Sequence, residues 1–540
     1  MSRLARNRLL KMVCALTLVL GPPACVLSDE AAEEDASDRG AGSPVTTEDL
    51  QRQLGEMRRM IEQQNQMIDQ LQKRLDAHRS TSQPPSVVPA SASAPDPQAP
   101  AAGDQLDARI DAALKKFEAE NSSRMLPKGV STGYDGGFYI TSPEGIKIGD
   151  LDVPFLLKHR ARLNYRHTYF DSHGPNPDEN DLELERARIY FLGYFLRPYL
   201  EYQITLDGDE DDTREVETVG VYDWIISYGF SKPLGWECAE MGLRFGKWKS
   251  PMFRQETESS GRQQFTERSM VDKFFQVDRN DGVSLYGKFD LLDRPFRWEA
   301  GLINGFNTTT SRPARASTVA GAPPDMDNDL AFVSKTNWEL IGEWVEGDGE
   351  PDLSYHCCPA LRVGTTFGAT RVDPGGGPLE SRESREIRVC DTGARLTDIL
   401  PDTVTEFTEL LYGVDWGYKY RGWSFNNEYF FRSIFDFAGA DVDTLFDWGY
   451  YAQLGYFIVP KKFEVAGRYS TVLGNSSTLG GGLHSGDEVA GTFNWYIRGH
   501  SLKFQFDVSH YNGAVIGSSS GQFLAGDEGW LFRSQVQIYY

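Results

Sequence analysis

The chain has 540 residues, with 55 Lys and Arg against 78 Asp and Glu, a formal net charge of -23 at pH 7. That balance lacks the basic footprint a phosphate backbone requires and argues against nucleic acid as a partner. The aromatic content of 12% and the 53 Gly suit many antiparallel strands joined by turns, and no apolar run approaches the ~20 residues of a membrane helix.

Residues 1–24 read as a secretory signal peptide. Arg3, Arg6, Arg8 and Lys11 form the basic region, Met12 to Leu20 the apolar one, and Gly21, Ala24 and Cys25 offer small residues for cleavage. PPAC is a poor lipobox, so the cleavage site and lipidation of Cys25 stay open. Residues 25–45 form an acidic segment expected to be disordered.

Residues 46–79 carry a heptad. Leu50, Leu54, Met57, Ile61, Gln64, Ile68, Leu71 and Leu75 alternate spacings of four and three, with Thr46 or Thr47 able to cap the helix. The pattern predicts an α-helical coiled coil, which needs partner chains. A Pro/Ala/Ser linker follows at 80–103, and a second short helix at 104–121 holds Leu106, Ile110, Ala113 and Phe117 at the same spacing.

From 136 to 540 the texture is strands. In HRARLNYRHTYF (159–170), Arg160, Arg162 and Arg166 share one parity, and Ala161, Leu163, Tyr165 and Tyr169 share the other. In LERARIYFLGYF (184–195), Arg186 and Arg188 oppose Ala187, Ile189, Phe191 and Phe195. A period of two sets arginines on one strand face and apolar residues on the opposite one. Tight turns are expected at Arg197-Pro198, Arg421-Gly422, Pro460-Lys461 and Arg498-Gly499. Long polar loops are expected at 171–181, 208–218, 249–281, 305–328, 371–409, 433–447 and 475–487. About sixteen strands result, with short turns at one end and long loops at the other. The connection at 339–359 is longer than this scheme wants.

That asymmetry predicts an all-β fold, a transmembrane antiparallel β-barrel of about 16 strands, preceded by the coiled coil. Val536, Ile538 and Tyr540 alternate in the last strand and finish on an aromatic. A lipid-facing Arg would cost ~2–4 kcal/mol at the bilayer midplane, so the arginines are expected to face a wet lumen.

Cys14 leaves with the signal. Cys238, Cys357, Cys358 and Cys390 are scattered and form no disulfide framework. His356-Cys357-Cys358 lacks a second ligand pair at useful spacing, so no metal site is expected there, and the oxidation state of these cysteines is left open. DGDEDD (207–212) has Asp212 where a calcium-binding EF-hand loop needs Gly, and reads as a solvated acidic loop.

The segments ERARIYFLGYF (185–195), GLRFGKWKSPM (242–252), ESSGRQQFTERSM (258–270), NDGVSLYGKF (280–289), WEAGLINGFN (298–307) and FNWYIRG carry a resemblance. From about residue 136 to the end, the chain resembles the phosphate-selective porin O/P family of outer-membrane proteins. The resemblance implies a homotrimer, passive diffusion of small solutes, and a connection after GLRFGKWKSPM that folds inward to narrow the pore. Outer-membrane lipid and lipopolysaccharide would be its surroundings, with the coiled coil in the periplasm.

Arg160, Arg162, Arg166, Arg186, Arg188 and Arg244 are the expected pore-lining, anion-binding residues. Arg254, Arg262, Arg268, Lys273 and Arg279 are expected on the constriction loop. Several basic groups converging in a confined space favour anions, but phosphate specificity does not follow from the residues. A structural barrel with a periplasmic coiled-coil spacer and little conduction is the alternative. His500-Ser501 is adjacent in sequence, which is not triad geometry, so no enzyme and no cofactor are expected.

Overall fold

The chain divides into two units, Met1–Ala112 and Ala113–Tyr540. The computed structural model describes residues 129–174, 177–208, 219–236, 239–306, 329–373, 379, 387–390, 393–513 and 528–540. The expected signal, acidic segment, coiled coil, linker and short helix, together with Cys238, lie outside the described residues.

Alternating sequence produces eighteen strands among the described residues. They are β1 (Ser131–Tyr134), β2 (Phe138–Ile148), β3 (Leu151–Ser172), β4 (Glu179–Phe195), β5 (Leu200–Asp207), β6 (Gly220–Gly229), β7 (Glu240–Lys249), β8 (Arg279–Leu291) and β9 (Arg294–Ile303). The second half supplies β10 (Ala331–Ile341), β11 (Ala360–Val372), β12 (Glu406–Tyr420), β13 (Trp423–Ala438), β14 (Leu445–Val459), β15 (Phe463–Gly474), β16 (His484–Arg498), β17 (Leu502–Asn512) and β18 (Gly529–Tyr539). From β3 to β18 each strand pairs antiparallel with the next, and β18 pairs with β3 from Gly529↔Ser172 to Tyr539↔Arg162. The result is a closed barrel of sixteen strands. Closure leaves no unpaired edge. The short β1 and β2 form a meander on the first half of β3.

The four expected tight turns are present. At the β12–β13 turn Arg421 and Gly422 have φ of 47° and 83°, and at the β8–β9 turn Leu292 and Asp293 have φ of 53° and 58°. Two consecutive positive values are the hairpin geometry that matches strand twist. Several expected loops are shorter than read. β13 runs on to Ala438, β14 starts at Leu445 and β16 starts at His484, because polar residues there still pair in the ladder.

The barrel inverts the usual soluble pattern. Along β16, Glu488, Thr492, Asn494 and Tyr496 are buried, whereas Val489, Phe493, Trp495 and Ile497 are exposed. Along β3, Arg162, Asn164, Arg166 and Thr168 are buried while Leu163 and Tyr165 are exposed. Polar inside and apolar outside is the order that lipid demands of a barrel. Among the described residues no helix is long and apolar enough to cross a membrane.

Candidate functional site

Besides the β11–β12 connection, whose Arg388 carbonyl accepts from the inward-facing Arg432 at 2.6 Å, two connections among the described residues reach the inner face of the barrel. The first joins β7 to β8 and carries two short helices, α1 (Arg254–Thr257) and α2 (Met270–Phe275). Serines set its turns: Ser259 accepts from the Gly261 amide at 3.4 Å, and Ser269 caps α2 by accepting from the Asp272 amide at 3.3 Å. Its apolar residues Met252, Phe253, Met270, Val271, Phe274 and Phe275 are buried in one cluster with Phe430, Tyr451 and Val472 of the wall.

Its polar groups are bound by inward-facing side chains of the wall. Glu428 accepts from the Arg254 and Gln255 amides at 2.6 and 3.1 Å, Asp507 from the Thr266 amide at 2.6 Å, and Glu488 from the Met270 amide at 2.8 Å. From β3 and β4, Arg166 and Arg186 donate to the Glu267 carboxylate at 2.8 and 2.6 Å. Burial would raise that carboxyl, but the two guanidiniums outweigh it and hold it well below the usual carboxylate range.

The second connection is 342–359, the segment too long for a short-end turn. Its length is explained by its contacts. Glu350 accepts from the Gln264 amide at 2.8 Å and from the Gln255 and Gln453 side chains at 2.9 Å each. Trp344 lies between Arg362 and Lys419, whose charges sit 4.6 and 4.4 Å from its ring centroid. Gly349 is needed for the approach: its φ is 64°, and a Cβ there would stand 2.4 Å from Arg262 Cβ.

Between the first of these segments and the wall of β3 to β10 lies a cavity of about 580 Å³. Arg162, Arg188, Arg244, Lys249, Arg279, Lys288, Arg297 and Lys335 line it, against only Asp223, Glu240 and Glu299. Several of these cations are neutralised. Arg188 bonds Asp207 at 2.5 Å, Arg279 bonds Asp223 at 2.7 Å, Arg244 bonds Glu299 at 2.6 Å and Arg297 bonds Glu339 at 2.5 Å. Arg188 and Arg279 also share the Tyr222 ring, at 4.1 and 3.5 Å from its centroid.

Three cations have only neutral partners among the described residues. Arg162 donates to Ser260 Oγ at 2.9 Å. Lys249 donates to the Glu256 and Glu258 carbonyls at 2.6 and 2.8 Å. Lys335 donates to the Phe253 carbonyl at 3.3 Å and to Thr257 Oγ1. Neutral oxygens orient a cation without cancelling its charge.

The expected site residues are thus not one ladder. Arg162, Arg188, Arg244 and Arg279 line the cavity. Arg166 and Arg186 are taken up by Glu267 and Glu185. Arg160 is half-buried and donates to the Gly136 carbonyl beside Tyr539. Of the loop residues, Arg254 is enclosed by Asp415 at 3.2 Å and Asn426 at 2.9 Å. Arg262 donates to the Glu346 carbonyl at 3.3 Å, and Arg268 to the Gln255 and Glu256 carbonyls at 3.0 and 3.1 Å. Lys273 lies 4.0 Å from Glu267. Sequence reasoning missed Lys249, Lys288, Arg297, Lys335 and Tyr222. Parity could have found two of them, since Lys335 matches Asn337 in AFVSKTNWELI and Arg297 matches Glu299 in RPFRWEAGLI.

No family model and no curated protein matches the sequence. Among solved structures, the chain is similar to OmpT, an outer-membrane protein of Vibrio cholerae in trimer form, at 10% identity and a TM-score of 0.44. That match covers 72% of this chain and 99% of the other. It is similar to the outer-membrane channel DcaP of Acinetobacter baumannii at 9% identity and a TM-score of 0.42, covering 73% and 99%. It is similar to Pseudomonas putida OprB at 11% identity and a TM-score of 0.39, covering 71% and 94%. Likeness this low assigns neither family nor activity, and the barrel rests on its own closed strand pairing.

Proposed function

We propose that the protein is an outer-membrane porin that lets small solutes diffuse passively, with a preference for anions. The carrying observation is the cavity lining of eight basic against three acidic residues, inside a barrel whose outer surface is apolar. Arg162, Lys249 and Lys335 supply the uncompensated charge, and the 250–278 segment narrows the water-filled path beside them. The heptad at 46–79 supports assembly with further copies of the chain, and we take the assembly to be a homotrimer with its coiled coil in the periplasm. Outer-membrane lipid and lipopolysaccharide then surround the apolar belt. The cations converge from three separate elements and are held by neutral oxygens, which favours general anion preference over phosphate specificity.

One observation favours a second reading, a structural barrel with little conduction: residues of 250–278 and 342–359 are buried against much of the inner wall. Conductance of the purified, full-length protein in planar bilayers separates the two. Discrete channel steps support the porin, and block of those steps by added phosphate extends it to phosphate specificity. Protein that is folded and inserted yet gives no steps supports the structural role.

A further inference from the structure

The 342–359 connection ends on two adjacent thiols. Cys357 and Cys358 are both exposed, and their Sγ atoms stand 3.7 Å apart. Two thiolates bound to one tetrahedral zinc-type ion at ~2.3 Å each lie ~3.8 Å from one another. The same pair is poorly set for a disulfide. Neighbouring Cα atoms are ~3.8 Å apart across a trans peptide, below the ~4.4 Å at which bridged cysteines usually begin. The spacing suits chelation by both sulfurs.

The thiols are also held in place from their N-terminal side and across the turn. The Asp352 carboxylate accepts from the His356 amide at 3.1 Å and contacts its ring Nδ1, while its other oxygen accepts from the Gly422 amide at 2.7 Å. The His356 carbonyl accepts from the Arg421 amide at 2.9 Å. Tyr355 is left-handed, with φ of 60°, and β11 begins just past Pro359. Little conformational freedom remains to be lost on binding. Two adjacent thiols resist becoming a dithiolate unless a cation replaces both protons.

We propose that Cys357 and Cys358 form a bidentate thiolate site for a soft divalent cation of the zinc and cadmium class, at the short-turn end of the barrel. Two S–H bonds release their protons to water and two sulfur–metal bonds form, with no change in oxidation state. Asp352 and the Nδ1 of His356 are occupied with the turn and each other, and the His356 Nε2 is buried, so the remaining coordination positions stay open to water or a passing solute. The inference is independent of whether the barrel conducts.

The test is a cadmium titration of the full-length protein, followed by the ultraviolet thiolate-to-cadmium charge-transfer band. The protein is first reduced with a phosphine, and the two thiols it carries beyond the double variant are counted with an aromatic disulfide reagent. C357S, C358S and the double variant are compared, with Cys25, Cys238 and Cys390 left in all of them. These side chains are exposed, so retention of the barrel is expected and is checked by heat-modifiable migration. One equivalent of cadmium is expected to saturate the band, and zinc to compete it away. Each single variant should bind at least about tenfold more weakly, because the second sulfur no longer acts at high effective concentration. The double variant should give no band. A full band in the double variant, unweakened binding in a single variant, or no band from protein with both thiols counted would each overturn the site.

Discussion

The two halves of the lumen carry the same kind of wall and use it differently. From β11 to β18, inward-facing charges are taken up by the 250–278 and 342–359 segments: Glu428, Asp507 and Glu488 receive backbone amides, and Arg468 donates to the Glu267 carbonyl at 3.0 Å. From β4 to β10 the wall instead bounds the cavity, where Lys249 and Lys335 meet only carbonyl and hydroxyl oxygens and Arg162 reaches in from β3. A charge on the inner face is therefore an anchor where a segment answers it with amides or an opposite charge, and a source of field where the segment offers only neutral oxygens. Strand parity alone cannot say which.

The largest expected effect comes from breaking the packed half. Glu267→Ala leaves Arg166 and Arg186 to share the Glu185 carboxylate alone in a buried setting. Removing one partner of a buried ionic cluster costs about 3–5 kcal/mol. Thermal unfolding of the barrel, with protease nicking of 250–278, should show this loss.

Next is the pH response of the same segment. Burial pushes the Asp272 carboxyl up to about 6 from its ordinary 3.8, against the opposing charges of Arg268, Lys273 and Lys249 and with Glu350 adding to the rise. The folded segment then holds a proton that the unfolded chain has released. Stability is fullest below 3.8, declines as pH rises, and levels off above about 6. The total is about 3 kcal/mol for a shift of this size. Asp272→Asn should flatten this slope when nicking is followed against pH; an unchanged slope would assign it to other groups.

Smaller still is the effect on ion choice. Arg162→Gln with Lys335→Gln removes two of the three cations held by neutral oxygens and should cut the anion-to-cation permeability ratio a few-fold, on the order of 1 kcal/mol. Lys503→Gln, in the packed half and bonded to the Gln263 carbonyl at 2.9 Å, should leave that ratio unchanged. The least effect is expected outside both halves. Arg371, more than half exposed, pairs with Glu406, and Arg371→Ala should change stability by less than ~0.5 kcal/mol.

Much of the barrel was legible in the sequence. The arginine parity in 159–170 and 184–195 fixed which face of β3 and β4 points inward, and the four tight turns and the final strand are where the pattern placed them. Strand ends were less legible, because residues such as Asp487 and Glu488 are polar yet still in the ladder. The site was legible only in part. Arg254 read as a pore residue because it sits on a long polar loop, but Asp415 and Asn426, more than 150 positions away in the chain, enclose it. The anomalous length of 339–359 was visible, and its cause, the contacts of Glu350 with Gln255, Gln264 and Gln453, was not.

The central claim is that the open half of the lumen carries uncompensated positive charge. The zero-current potential of the reconstituted full-length protein under a potassium chloride gradient tests it most directly. The account predicts the sign set by chloride, and a weaker potential in the Arg162→Gln, Lys335→Gln variant. A potential of the sign set by potassium would contradict it.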